Sequence, residues 1–160
     1  MTQLPPASRR VSAALHHAGL SAEIREFDAS TRTAQDAASA IGTTVGQIVK
    51  SLVFLAGDRP VLALVSGSNQ LDTPKLQAIT GRAVNKADAT LVREATGYAI
   101  GGVPPAGFPS PIDTYIDQDL LQHEELWAAA GTPHHVFRIT PPDLVRLTAG
   151  TVANLRRDPP

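Results

Sequence analysis

Cysteine is absent from the 160 residues, and with it go disulfides, thiolate nucleophiles and cysteine-ligated zinc. Long apolar runs are missing too. The longest falls short of the roughly 20 residues that span a bilayer, and residues 1–10 lack the charged-then-apolar order of a secretory signal. The cytoplasm is therefore the expected location, with no membrane partner. Charge of one sign is equally lacking: the formal net charge is −1, and the only basic doublets, Arg9-Arg10 and Arg156-Arg157, lie near the ends. That excludes a broad electrostatic footprint along a duplex, and DNA with it; a nucleic-acid partner would be held locally, at an end or a single phosphate. No internal repeat, low-complexity tract or linker divides the chain, so residues 1–160 are expected to form one domain around one ordinary core.

What is present begins with Lys50. It sits inside Ile48-Val49-Lys50-Ser51-Leu52-Val53-Phe54-Leu55-Ala56, a run that otherwise reads as a buried or half-buried strand. Desolvation penalises an ammonium and lowers its pKa. A lysine among apolar neighbours thus points to an anionic partner, an amine reaction or a path to solvent. The same residue equally fits a solvated face, or a side chain snorkelling from a strand end. The second feature is Gly101-Gly102-Val103-Pro104-Pro105-Ala106-Gly107, which follows a strand-like Tyr98-Ala99-Ile100. It is a stiff loop opened by glycines, of the kind that lets backbone approach a ligand closely.

Around these features the chain alternates short helices and strands. Ser8 is positioned to cap a helix to about His17, and Glu23 to Phe27 alternates as a strand. Thr33 opens an alanine-rich helix that closes near Gly42, and residues 44–47 turn into the Lys50 strand. Gly57-Asp58-Arg59-Pro60 predicts a hairpin to Val61–Val65, so the two strands are expected to be antiparallel neighbours. Asp72-Thr73-Pro74 starts a helix that runs to Thr80 before Gly81, and Ala87 to Ala95 is a helix ended by Gly97. Ile112 to Asp117 is a strand, Leu126–Ala129 and His135–Ile139 form a hairpin about Gly131-Thr132-Pro133, and Thr140 introduces a helix over Pro141–Leu147. The tail is expected to fray from Asp158. The sum is an α+β fold with a mixed, largely antiparallel central sheet flanked by helices.

Several chemistries are excluded by spacing. Residues 42–51 have the glycines of a phosphate loop, but three residues separate Gly46 from Lys50, and that lysine lies in a strand instead of opening a helix. Pro104 and Pro105 remove amides that a pyrophosphate cradle would need. His123-Glu124-Glu125-Leu126 lacks the second histidine of a zinc helix, and the adjacent pairs His16-His17 and His134-His135 diverge, so no metal and no cofactor is expected. His134 or His135, beside a glycine turn, is placed to line a pocket. Asp113, Asp117 and Asp119 read as a solvated sheet face in preference to a carboxylate pair. No Gly-x-Ser-x-Gly elbow is present.

Val49-Lys50-Ser51-Leu52-Val53-Phe54, the helix over Asp72 to Thr80, and Thr96-Gly97-Tyr98-Ala99-Ile100-Gly101-Gly102-Val103-Pro104-Pro105-Ala106-Gly107 together resemble the YbaK and prolyl-tRNA-synthetase-associated editing family, over nearly the whole chain. The resemblance implies a free-standing hydrolase that clears mischarged aminoacyl-tRNA in trans: a small residue such as Ala, Cys or Ser, on tRNA for proline. It implies Lys50 as the residue required for activity, holding the 3′-terminal adenosine end. The backbone of Gly101 through Pro105, with Gly102 and Val103 between them, would position the ester and terminal ribose. Ser51, after the lysine, would contact substrate, Phe27 maps to an aromatic position at the entrance or in the core, and Gly131 and Thr132 map to a pocket segment. Pro104 stands where some relatives carry serine, which removes a hydroxyl and stiffens the loop. The implied chemistry uses water or the substrate's own groups and no protein nucleophile. The implied partners are the tRNA acceptor end and an aminoacyl-tRNA synthetase. A rival reading keeps the same lysine and loop in a non-catalytic module that binds an aminoacyl-adenosine end or docks on a synthetase.

Overall fold

The computed structural model describes residues 3–27 and 33–159. Helix α1 (Pro6–His17) leads to strand β1 (Ile24–Glu26) and helix α2 (Ala34–Ile41), and a 3-10 turn (Val45–Gln47) enters β2 (Ile48–Ala56), which pairs with β3 (Arg59–Ser66). Then come α3 (Thr73–Thr80), β4 (Val84–Lys86), α4 (Ala89–Thr96), β5 (Asp113–Asp117), a second 3-10 turn (Gln118–Gln122), β6 (Leu126–Ala129), β7 (His135–Ile139), α5 (Pro141–Thr148) and β8 (Thr151–Ala153). The strands form one mixed sheet in the order β1-β7-β6-β2-β3-β5-β8, with β4 also on β2. No helix of the described residues is long and apolar enough to cross a membrane.

Local chemistry explains most boundaries. Thr33, Asp72, Asp88 and Thr140 each accept a main-chain N–H with the side chain at a helix start, and Gly42, Gly81 and Gly97 close helices in the left-handed conformation. The hairpin is antiparallel, with Lys50 opposite Val65. Where expectation and structure differ, long-range contacts are the cause. Helix α1 starts at Pro6, and Ser8 caps nothing: it is buried, and its hydroxyl donates to the Ala130 carbonyl at 2.7 Å. Tyr98 to Ile100 is not a strand. After Gly97 the chain turns, Tyr98 packs into the core with its hydroxyl on the Gly107 carbonyl at 3.1 Å, and Gly102 N–H closes a turn on Ala99 C=O. The tail is tied down through Asp158: Arg157 N–H donates to Gln70 C=O, Lys75 pairs with Asp158 at 3.3 Å, and Arg156 bridges Leu71. The three-residue strands β4 and β8 carry no sequence signal of their own and exist through β2 and β5.

Because side chains alternate across a strand, β2 divides the interior. Val49 and Val53 join Leu62, Leu64, Leu126, Phe137 and Leu144 in the core under α1, α4 and α5. On the opposite face Ile48 packs with Trp127 and Val136 against α2, while Leu52 and Phe54 pack with Val65 and Leu76 against α3. Lys50 shares the face of Ile48 and Leu52 and therefore falls at the seam between these two apolar clusters.

Candidate active site

The edge of β2 is interrupted at Lys50. Parallel pairing with β6 covers Ile48 and Val49, and antiparallel pairing with β4 resumes at Phe54. Among the described residues no strand covers Lys50 to Val53 on that side. Gly67 N–H bonds Ile48 C=O, so the alternation of the antiparallel ladder turns the N–H and C=O of Ser51 away from β3, into the gap. Further along, Val53 C=O is taken by Ala87 N–H at 3.2 Å.

The gap opens into a cleft of about 540 Å³ lined by both faces of the sheet, with Lys50, Ser51, Ile100, Gly101, Val103, Trp127, Thr132 and His135 on its walls. Of the residues implied by resemblance, Lys50, Ser51, Gly101, Val103 and Thr132 meet here. Gly102, Pro105 and Gly131 are buried behind the wall. Gly102 and Gly131 are joined there by Gly131 N–H to Gly102 C=O at 2.9 Å, so each supports the surface from the rear. Phe27 packs against the cluster of Ile48, Trp127 and Val136, which is its core alternative. At the rim the turn Ala99–Gly102 carries Gly101 at φ 94°, the left-handed position that glycine fills at little cost. It presents Ile100 56% exposed.

Lys50 is half-buried. Its ammonium donates to the main-chain carbonyl of Asn69. Burial pushes its pKa below the ordinary 10.5, and the nearby Asp117 carboxylate partly offsets this. Asp117 does not lie on a solvated face: at the end of β5 it is 0% exposed, whereas Asp113 at the start of the same strand is exposed. The strand runs from the surface into the interior, and alternation alone does not reveal that gradient.

Three buried polar atoms have no hydrogen-bond partner among the described residues: Ser51 Oγ, Trp127 Nε1 and His135 Nε2. All three residues line this cleft. Leaving such groups unpaired costs about 1–3 kcal/mol each, so three of them in residues that line one cleft single it out as the place with unmet polar demand. His135 Nδ1 lies 2.5 Å from Thr132 Oγ1, which also accepts His134 N–H at 3.1 Å, while His135 Nε2 is 3.8 Å from the Glu26 carboxylate. His135 is thus the pocket-lining member of the histidine pair. Trp127 escaped sequence reasoning altogether; a lone tryptophan in a four-residue strand carries no signal beyond core packing. A wider depression of about 900 Å³, lined by Gln47, His123, Glu125, Arg138 and Asp143 among others, has no such unpaired atoms. An ion pair between Arg138 and Glu125 at 3.3 Å satisfies its walls in part, and the cleft at Lys50 is the better candidate.

Several known proteins are similar to this chain. A family model described as an aminoacyl-tRNA editing domain matches residues 28–147. The protein YwhH of Bacillus subtilis is 31% identical over 123 residues, covering 76% of this chain and 78% of that protein. EbsC of Enterococcus faecalis, named as a candidate Cys-tRNA(Pro)/Cys-tRNA(Cys) deacylase, is 28% identical over 125 residues, 77% of this chain and 76% of EbsC. A proline–tRNA ligase of Thermoanaerobacter is 29% identical over 71% of this chain, which spans 20% of the ligase. A solved structure described as a candidate trans-editing enzyme for prolyl-tRNA synthetase superposes with a TM-score of 0.94 at 48% identity, over 98% of this chain and 100% of that one.

Proposed function

Because the chain belongs to the aminoacyl-tRNA editing domain family, we propose that it is a trans-acting deacylase that hydrolyses the ester of tRNA charged with a small wrong amino acid, with tRNA for proline as the substrate to test first. The observation that carries this reading is Lys50 on the wall of a cleft whose lining residues include the three that hold unpaired buried polar atoms. The cleft is of a size suited to a small-molecule-sized group, here an amino acid with its terminal nucleoside. In the reading, Lys50 donates to the acceptor end. The turn at Gly101 sets the wall against which the ester lies. His135, oriented by Thr132, offers Nε2 to a water or to a substrate hydroxyl. No serine, threonine or cysteine attack is invoked, and water supplies the nucleophile. Editing of this kind is needed where a synthetase cannot exclude a smaller or isosteric side chain by binding alone.

The test is a deacylation panel with alanyl-, cysteinyl- and seryl-tRNA for proline, and prolyl-tRNA as counter-substrate. Faster ester loss than the buffer control on at least one mischarged species, with prolyl-tRNA spared, is the expected result. A shift of the tRNA or of a synthetase with no acceleration would instead identify a binding module.

Charge makes a second expectation. Five of the fourteen basic side chains are drawn into local pairs, Lys75–Asp158, Arg82–Asp58, Arg138–Glu125, Arg146–Asp143 and Arg156–Asp119. The other nine are scattered along a chain whose formal net charge is −1, so the salt dependence of tRNA binding should be shallow and a short acceptor-stem mimic should be cleaved almost as well as full-length tRNA. A slope that corresponds to about six or more phosphates, or a mimic that is not cleaved at all, would overturn this.

A further inference from the structure

Behind Lys50 lies a polar chain, buried at Asp117 and Ser66 and partly buried at Asn69 and Asp119, that the proposed chemistry does not use. Asp117 Oδ2 accepts Ser66 N–H at 3.1 Å and Asn69 Nδ2 at 2.8 Å, and its Oδ1 accepts Asp119 N–H at 3.0 Å. Asn69 Nδ2 donates also to Asp119 Oδ2 at 2.8 Å, so the single amide joins two carboxylates. Asp119 is in turn paired with Arg156 at 3.4 Å. The main-chain carbonyl of the same Asn69 takes the Lys50 ammonium, and Asn69 N–H closes the turn on Ser66 C=O at 2.9 Å. An acid with no solvent exposure and no cation in direct contact is costly to keep. It lies here within electrostatic reach of the one lysine at the cleft.

We propose that Asp117 is a positioning residue for Lys50: its buried carboxylate, acting through Asn69, pins the turn whose carbonyl holds the Lys50 ammonium at the cleft. The same carboxylate also acts on the ammonium electrostatically. The charged and titratable groups around Lys50 are Asp117 at the end of β5, Asp119 in the turn after it, Arg156 paired with Asp119 from the C-terminal segment, and His135 lining the same cleft from β7. Arg156 pairs with Asp119, and among the described residues Asp117 has no such ion pair. The consequence for turnover rests on the deacylase reading; the consequence for Lys50 itself does not.

The chain has three lysines, Lys50, Lys75 and Lys86, so 13Cε-lysine NMR resolves each titration. In Asp117→Asn, Lys50 should titrate at lower pH than in the wild type while Lys75 and Lys86 stay put, because a nearby negative charge has been removed. The alkaline limb of deacylation should move down with it. Asn69→Ala keeps the carbonyl but cuts the amide link. It should lower kcat about ten- to a hundredfold, the scale of an ångström-level misplacement, and it serves if Asp117→Asn does not fold. Identical Lys50 titration in a folded Asp117→Asn protein, or unchanged Lys50 titration and kcat in Asn69→Ala, would overturn the positioning role in an active enzyme. A wild-type protein that hydrolyses none of the mischarged tRNAs yet shows the Lys50 shift would overturn the deacylase reading and leave Asp117's role standing.

Discussion

Lys50→Ala is expected to abolish deacylation and leave the fold intact. The ammonium sits at the seam between two apolar clusters and anchors neither, its one hydrogen bond among the described residues being to the Asn69 carbonyl. Its loss removes a partly desolvated charge and creates little void, so thermal stability should hold or rise slightly. Turnover should fall by at least about 10²–10³, the cost of losing one charge-stabilising donor in a water-poor site. Lys50→Arg should fail as well, since a broad planar guanidinium does not replace a compact ammonium in a narrow gap. The pH dependence follows from the lowered pKa. Activity that needs the ammonium should decline on its alkaline side at lower pH than an ordinary lysine would dictate. For stability the sign is opposite: the folded chain releases this proton more readily than the unfolded one, so burial of the charge is a cost at low pH. That cost is relieved as pH rises from the lowered value towards 10.5, and the stability gap between wild type and Lys50→Met should narrow over that window. Near wild-type turnover in folded Lys50→Ala, measured beside its melting curve, would remove Lys50 from the chemistry.

Gly102→Ala carries the second large effect. A Cβ at Gly102 would stand 2.6 Å from Gly131 O and 2.7 Å from Gly131 C and Thr132 Cα. These are backbone atoms, which cannot swing aside as a side chain would, so the substitution pushes the 101–105 loop off the 131–132 turn. The hydrogen bond between them, Gly131 N–H to Gly102 C=O, stretches. Both walls of the cleft move, one carrying Ile100 and Val103, the other Thr132 and the His135 it orients. The expected cost is about 1–3 kcal/mol of stability, as for overpacking elsewhere, with kcat/KM down about a hundredfold or more. Gly101→Ala differs in kind. Its Cβ meets only the Pro133 ring, Cγ at 3.5 Å and Cβ at 3.9 Å, and its penalty is the left-handed φ of 94°, worth about 1–2 kcal/mol; activity should fall less than in Gly102→Ala. Deacylation kinetics on purified variants decide it: equal activity in wild type and Gly102→Ala would reduce the loop to an ordinary turn.

The hairpin of β2 and β3, the caps at Thr33, Asp72 and Thr140 and the glycine stops at Gly42, Gly81 and Gly97 were legible in the residues themselves, because each depends on neighbours within a few positions. So was Lys50, a charge set in an apolar run. The glycine-opened loop from Gly101 was legible in the same way; the resemblance added the role of that loop and of the segment at Gly131, and the aminoacyl-tRNA editing match agrees with the family it pointed to.

Sequence alone therefore determined where the lysine and the glycine loop lie along the chain and which local elements carry them, since backbone preference, capping and alternation are short-range. Only the tertiary structure decided what surrounds them. It brought Gly102 against Gly131 across the intervening β5 and β6, ended the pairing of β6 at Val49 and resumed pairing with β4 at Phe54 to leave the gap, and buried Asp117 while exposing Asp113 on the same strand. It also left Ser51, Trp127 and His135 with polar atoms facing no partner. These follow from how a strand is covered by elements distant in sequence, and burial, unlike propensity, belongs to the packed chain as a whole.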